Sequence, residues 1–540
     1  MKFLNSSISL LLIIICISCN SKKQMDTSRS TLEFSTHDFQ QVNNSRMENA
    51  TELNLPQDQY LTATIHLAAP LIHTLRTLDS TASDESLLAN GNFRISFFVD
   101  GKEIFSKNIV PGAGLPQAKM ESLQHRVPLI YPESIDYWGY YLWLEFSKVR
   151  GGDQALSDGE HSLLLKVNAY HKGDTLRYSP TLATGSISVK VNPIPVDPKA
   201  IAVQTIAPLS DWEISKDSFN HRLIEQLNTK IAQQKFENIT SIVVIKNNAL
   251  LLEEYFNGAD RSSLHDTRSV GKTFASTVLG IAIDEGFIAD ENKVLGDYYD
   301  LKNFKNYHPD KEKISLKSLL TMSSGFEGND DDYGSLGNEE NMYPTDNWVK
   351  FTLDLPLDTT KTMGIDYQYF TAGVVLLGDI LEQNVPGGLV RYADKKLFGP
   401  LQITDYQWQY TPQKVGNTAG GLQMRSIDYA KYGQLYKNKG IWQGKRILSA
   451  SWVEKSTNKH VRQPYGDGHY YGYLLWNKQY TVKGKKYEVS FCSGNGGNKI
   501  ISVKDLPLVI VITAQAYNLP YAHTQVDTMM EDYLLPALLP

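Results

Sequence analysis

Only three cysteines, Cys16, Cys19 and Cys492, stand in the 540 residues, too few and too unevenly spread to staple a fold. There is no basic excess either. A formal net charge of −6 leaves no electrostatic footprint for nucleic acid. No apolar run reaches the roughly 20 residues of a membrane-spanning helix. Motifs with their own chemistry are equally scarce. The chain has no Gly-x-Ser-x-Gly elbow, no His-Glu-x-x-His and no Cys/His spacing suited to zinc, so neither a metal nor a cofactor is implied. The acidic run Asn329-Asp330-Asp331-Asp332 lacks the glycine and closing glutamate of a calcium loop and reads as a solvated loop near the mouth of a cleft. What remains is an ordinary soluble composition, long enough for two or three domains.

The first residues read as an address rather than as fold. Lys2 precedes the short apolar run Leu10 to Ile15, and Ile17-Ser18-Cys19 follows, too short to span and right for export. The segment resembles a bacterial lipoprotein signal. That resemblance implies a signal peptide over 1–19, lipid on Cys19, and a protein anchored to a membrane facing the periplasm or cell surface. An ordinary cleaved signal peptide is the alternative. Cys492 is then the one remaining thiol; with no adjacent histidine it reads as a small core residue. Residues 20–54, rich in Ser, Asn, Gln and Lys, read as a flexible tether.

From 55 to 195 the pattern alternates with period two. Tyr60 to Leu67, Glu160 to Tyr170 and Thr184 to Val191 read as strands. Phe93 to Val99 and Glu103 to Ser106 flank Asp100-Gly101, a pair that accepts the positive φ of a tight hairpin. With no helical period of any length, an all-β sandwich-like domain is expected. Pro193, Pro195 and Pro198 then mark a linker, because proline fits neither a central strand nor a helix interior.

Residues 205–540 change character. An amphipathic helix over Asp217 to Gln234 leads into strands Ser241 to Ile245 and Leu250 to Phe256. Phe274 to Gly286 is a nearly all-apolar helix. Further strands are expected at Tyr471 to Trp476, Glu488 to Cys492, Lys499 to Val503 and Leu508 to Thr513, with a final helix from Tyr521 to Leu535. One antiparallel sheet therefore draws strands from both ends of the domain around a helical insert, an α+β fold in the form of an α/β sandwich.

Chemistry gathers where the apolar helix begins. Ser269 and Lys272 are three residues apart and share a helical face. Serine must lose its proton to attack, and a lysine accepts it only when neutral. Burial at the foot of an apolar helix moves a lysine in that direction, and free N–H groups at the helix start suit an oxyanion. The same spacing in Ser456-Thr457-Asn458-Lys459 has no apolar helix behind it and reads as solvated surface.

Arg268-Ser269-Val270-Gly271-Lys272 with its helix resembles the nucleophile motif of the serine β-lactamase, penicillin-binding protein and esterase family, with the class C branch closest. Leu319 to Gly325 and Asn417 to Tyr436 are similar to two further segments of that family, in the right order. The resemblance covers about 205–540 and implies a hydrolase working through an acyl-enzyme. On Met363 to Gly378 it places Tyr369, rather than Tyr367, on the family's catalytic tyrosine and Thr371 on its substrate-binding asparagine. A tyrosine set between positive charges would hold its proton loosely and relay it. The third motif falls on Phe491 to Gly497, where Ser493, Gly494 and Asn495 take the oxyanion and substrate-binding places and Cys492 stands where a cation is usual. A neutral residue there gives a substrate carboxylate no charge partner, unless Arg425 swings in. An ester or amide hydrolase is therefore favoured over a β-lactamase or D-alanyl carboxypeptidase. A non-catalytic penicillin-binding-like sensor is the reading from another class. The expected partners are an acyl substrate, small or peptide-like, and a membrane through the lipid.

Overall fold

The computed structural model describes residues 30–40, 49–207 and 212–539. The signal segment and Cys19 lie outside them. The chain divides into two compact units, residues 1–142 with 159–191, and 143–158 with 192–540.

The first unit is built on two sheets. Thr31–Ser35, Leu61–His66 and Gln124–Ile130 form one, all antiparallel. The other runs in the order Glu52–Leu55, Ala183–Val191, Gly159–Lys172, Gly91–Val99, Lys102–Asn108, with Leu176–Tyr178 added on Gly159–Lys172. Asp100 and Gly101 turn the expected hairpin at φ of 50° and 80°. Two expectations fail here. The tether reading does not hold over Thr31–Ser35 and Glu52–Leu55, which are strands. Leu32 and Phe34 supply the buried face of the first, a two-residue period short enough to be lost in a polar stretch. Nor is the unit all-β, because helices occupy Leu71–Leu78, Asp84–Asn90 and Pro116–Glu121. Leu71, Ile72 and Leu75 form the buried stripe of the first helix, at the spacing a helix requires.

The second unit carries an eight-stranded antiparallel sheet. Its order is Ala249–Tyr255, Ile239–Lys246, Leu508–Ala514, Asn498–Val503, Lys485–Gly494, Trp476–Val482, Tyr470–Tyr471, Val461–Arg462. Alternation along the strands makes two cores. Val243, Ile245, Cys492, Ile500, Val509 and Val511 face the core that contains Phe274, Val278 and Tyr432 of helices Gly271–Asp284 and Ser426–Lys437. Ile242, Val244, Phe491, Ile501, Ile510 and Ile512 face that of helices His221–Ala232 and Ala522–Met529. The insert, with Thr371–Asn384 at its centre, extends the first core.

Three local expectations are corrected. Tyr471 to Trp476 is a turn between two strands, with Leu474 at φ 58° and the Gly472 N–H donating to the Leu475 carbonyl. Ser456 is not surface; it is fully buried in helix Ala450–Thr457, with its hydroxyl committed to the Trp452 carbonyl at 2.7 Å. Residues 143–158 group with the second unit, where Lys148 is clamped between Asp153 at 3.0 Å and Glu237 at 2.7 Å.

Helix Gly271–Asp284 depends on this packing. Phe274 is fully buried, with its ring 4.1 Å from that of Tyr432 and 5.9 Å from that of Phe398. Phe274→Ala should cost about 3–5 kcal/mol, read as a lowered urea midpoint, whereas Lys485→Ala at an exposed strand end should stay within about 0.5 kcal/mol.

Candidate active site

Ser269 sits in a tight turn, Arg268–Val270, that runs straight into helix Gly271–Asp284. The turn is fixed from both sides. The Thr267 N–H donates to the Leu422 carbonyl at 2.8 Å, and the Thr267 hydroxyl to that of Gly420 at 3.2 Å. Arg268 takes φ 47°, held by a 2.9 Å bond from its N–H to Asp266 Oδ1. Gly420 and Gly494 close in on the turn. A Cβ on Gly420 would lie 2.5 Å from the Arg268 carbonyl oxygen, and one on Gly494 2.4 Å from that of Thr267. The end of strand Lys485–Gly494 is thereby pressed against the residues flanking Ser269.

Lys272 is 1% exposed, and its amine donates to Ser269 Oγ at 2.7 Å and to the Ala419 carbonyl at 2.7 Å. Burial pushes its pKa below the usual lysine value, against the opposing pull of the Glu339 and Asp330 carboxylates. Burial thus shifts the amine toward its neutral form, beside the Ser269 hydroxyl.

Tyr369 completes the group. Its ring centre is 5.3 Å from Lys272 Nζ, and its phenol is within hydrogen-bonding reach of Ser269. Tyr367, two residues away, packs against Tyr471, Tyr465 and Trp476 instead. The expectation of a loosely held tyrosine proton is corrected. Burial raises the Tyr369 phenol well above its ordinary value, and Ser269, Glu339, Asp330 and Asp331 are its other influences, the three carboxylates adding to the rise. Burial therefore disfavours a resting phenolate at this position.

The remaining expected site residues separate. Thr371 is fully buried at the start of helix Thr371–Asn384, so its side chain lines no open cleft; its N–H donates to Asp330 Oδ2 at 2.7 Å. Ser493 is partly exposed and pairs across the sheet with Lys499. Gly494 adjoins the nucleophile turn. The Asn495 amide is occupied: its Nδ2 donates to Asn518 Oδ1 at 2.5 Å and its Oδ1 accepts from the Asn518 N–H at 2.9 Å. Cys492 points away, into the core behind the helix, where it accepts from Thr273 Oγ1 at 3.5 Å and burial pushes the thiol up to about 12.

Three features escaped the sequence. Asp330 is not in a solvated loop. Its carboxylate is bonded to backbone on two sides and pushed up to about 6, chiefly by burial and then by Glu339. An aromatic wall of Trp476, Phe491, Tyr465 and Tyr471 stands beside Tyr369, with Trp476 5.6 Å from it. Finally, cations do stand near the third motif, but on other strands. Lys499 and Lys478 lie 4.8 Å and 5.3 Å from the Phe491 ring centre and share Asp527 at 3.4 Å and 2.5 Å. Arg425 does not swing in; it is bound to Asp428 at 2.7 Å and Asp405 at 3.2 Å.

The family pattern described as Beta-lactamase matches residues 227–528. A 6-aminohexanoate-dimer hydrolase of Paenarthrobacter ureafaciens is 24% identical over 223 residues, 40% of this chain and 56% of that protein. The chain thus spans just over half the length of this curated relative. Among solved structures, an octameric penicillin-binding protein homologue from Pyrococcus abyssi is similar at 18% identity over 57% of this chain and 75% of that one, TM-score 0.45. A D-amino acid amidase from Ochrobactrum anthropi SV3 is similar at 14% identity over 55% and 96%, TM-score 0.43.

A proton acceptor at 2.7 Å should set how fast Ser269 reacts. Lys272→Met is expected to slow labelling of Ser269 by a fluorophosphonate by about 10²–10⁴-fold. In the unaltered protein the labelling rate should rise with pH through an inflection below the ordinary lysine value of about 10.4, because only the neutral amine accepts a proton.

Proposed function

Because the chain belongs to the beta-lactamase family, we propose that it is a serine hydrolase cleaving an ester or amide through an acyl-enzyme. The observation that carries this reading is the buried amine of Lys272 bonded to Ser269 Oγ at 2.7 Å. Neutral Lys272 takes the Ser269 proton as Oγ attacks the substrate carbonyl. The developing oxyanion is met by the Ser269 N–H and an N–H of the Gly494–Asn495 strand end. Tyr369 passes the proton to the leaving oxygen or nitrogen as that bond breaks. Water then attacks the acyl-enzyme with its proton drawn toward Lys272, which releases the acid and restores Ser269.

Esters and amides are favoured over carboxylate-bearing lactams. Cys492 leaves the third-motif position of this strand without a cation. Lys478 and Lys499 are 8% and 3% exposed and already share Asp527, so neither is presented as an open charge partner. The aromatic wall beside Tyr369 suits an acyl group with an apolar body. Ser269→Ala should abolish turnover of p-nitrophenyl esters and anilides and fluorophosphonate labelling alike, while Ser456→Ala keeps both. Turnover that survives Ser269→Ala, or nitrocefin cleaved more efficiently than every ester and anilide, would contradict this assignment.

For location, we propose a lipid anchor on Cys19, with the hydrolase held at a membrane facing the periplasm or cell surface. One acyl chain gains about 0.8 kcal/mol per buried methylene. Cys19→Ser is expected to move the protein from the membrane pellet to the soluble exported fraction; retention in the pellet would rule the anchor out.

A further inference from the structure

Asp330 holds the chain on both sides of the tyrosine. Its own N–H donates to the Tyr369 carbonyl at 2.8 Å, and its Oδ2 accepts the Thr371 N–H at 2.7 Å. Its other oxygen, Oδ1, accepts the Glu339 N–H at 2.9 Å. The loop that presents it is itself rigidly organised. Asn338 Nδ2 donates to the carbonyls of Asn329, Asp330 and Asp332. Gly328 lies so close to Phe370 that a Cβ would stand 2.2 Å from its ring. The two carboxylate bonds are charge-assisted, and at a mostly buried group such bonds are strong and directional.

We propose that Asp330 is a positioning residue for the acyl transfer: by bridging the backbone at 369 and 371 to the Glu339 helix start, it fixes the Tyr369 phenol against Ser269. This rests on the reading of Ser269 and Lys272 as the reacting pair. The groups facing Asp330 are Lys272 on the nucleophile helix, Tyr369 on the segment it clamps, and Glu339 and Tyr343 across the loop. An ionised Asp330 stabilises the ammonium form of Lys272, so it works against the burial that lowers the amine. Removing the charge therefore lowers the lysine further. The clamp itself weakens on protonation, which for Asp330 falls at about 6.

Two variants separate the clamp from the charge. Asp330→Asn keeps the shape, loses the charge, and sets an amide NH₂ against one of two N–H donors. Its kcat on a p-nitrophenyl ester should fall on the order of 100-fold, as for a misplaced reacting group, with KM little changed. The inflection in kcat/KM assigned to Lys272 should move to lower pH. Thr371→Pro deletes the N–H that Asp330 accepts, together with the buried Thr371 hydroxyl. Phe370 is extended, φ −137° and ψ 90°, and needs a ψ adjustment of about 30° to precede a proline, while the first helical position tolerates proline. Its kcat should fall about tenfold or more, with the Lys272 inflection in place. Wild-type kcat in Asp330→Asn overturns the proposal, and so does a loss of activity with the inflection unmoved, which would mark a merely structural residue. Should circular dichroism show Asp330→Asn unfolded, Thr371→Pro decides, and wild-type kcat there overturns it. Failure of the underlying reading looks different: fluorophosphonate would then leave Ser269 unlabelled in the unaltered protein.

Discussion

Taking the Lys272 amine out of water is the constraint to which the rest of the second unit answers. An ammonium buried without a full partner is costly by several kcal/mol, so the group is driven toward its neutral form. The fold biases it that way by surrounding it with an apolar helix, a carbonyl from Ala419 and the Ser269 hydroxyl. Two carboxylates, Asp330 and Glu339, limit how far this goes. The same burial raises the phenol of Tyr369. One environment therefore favours an uncharged amine and an uncharged phenol beside one hydroxyl, the arrangement the proposed proton transfer requires.

The scaffold explains why this pairing is precise. The nucleophile helix is packed on one face of the eight-stranded sheet, and the turn that starts it is gripped between Gly420 and the strand ending in Gly494. Both grips come from segments more than a hundred residues away in sequence. The site is thus assembled by sheet topology, and Tyr369 is delivered by a third segment that Asp330 ties down.

What was legible in the sequence was local or strongly patterned. Ser269 and Lys272 share a helical face, Asp100-Gly101 marks its hairpin, strand Leu508–Ala514 is nearly all apolar, and Ile239–Lys246 holds the apolar run Ile242 to Ile245. Tyr369 was separable from Tyr367 only through a family resemblance, because alternation alone favours neither. The misses are non-local. Lys478 and Lys499 meet Phe491 only after three strands pair. Asp330 looks like any loop aspartate until Thr371 and Glu339 are folded onto it. Thr371 matched a motif position, but its side chain is turned into the core. The helix Leu71–Leu78 was missed because eight residues hardly show a period.

The acyl-enzyme itself is the most direct witness. Mixing the protein with a p-nitrophenyl ester, quenching with acid within the first turnovers and mapping the digest by mass spectrometry would read it. The mechanism predicts one acyl mass on the peptide containing Ser269, absent in Ser269→Ala. An acyl group on any other residue, or turnover with Ser269 never modified, would contradict it.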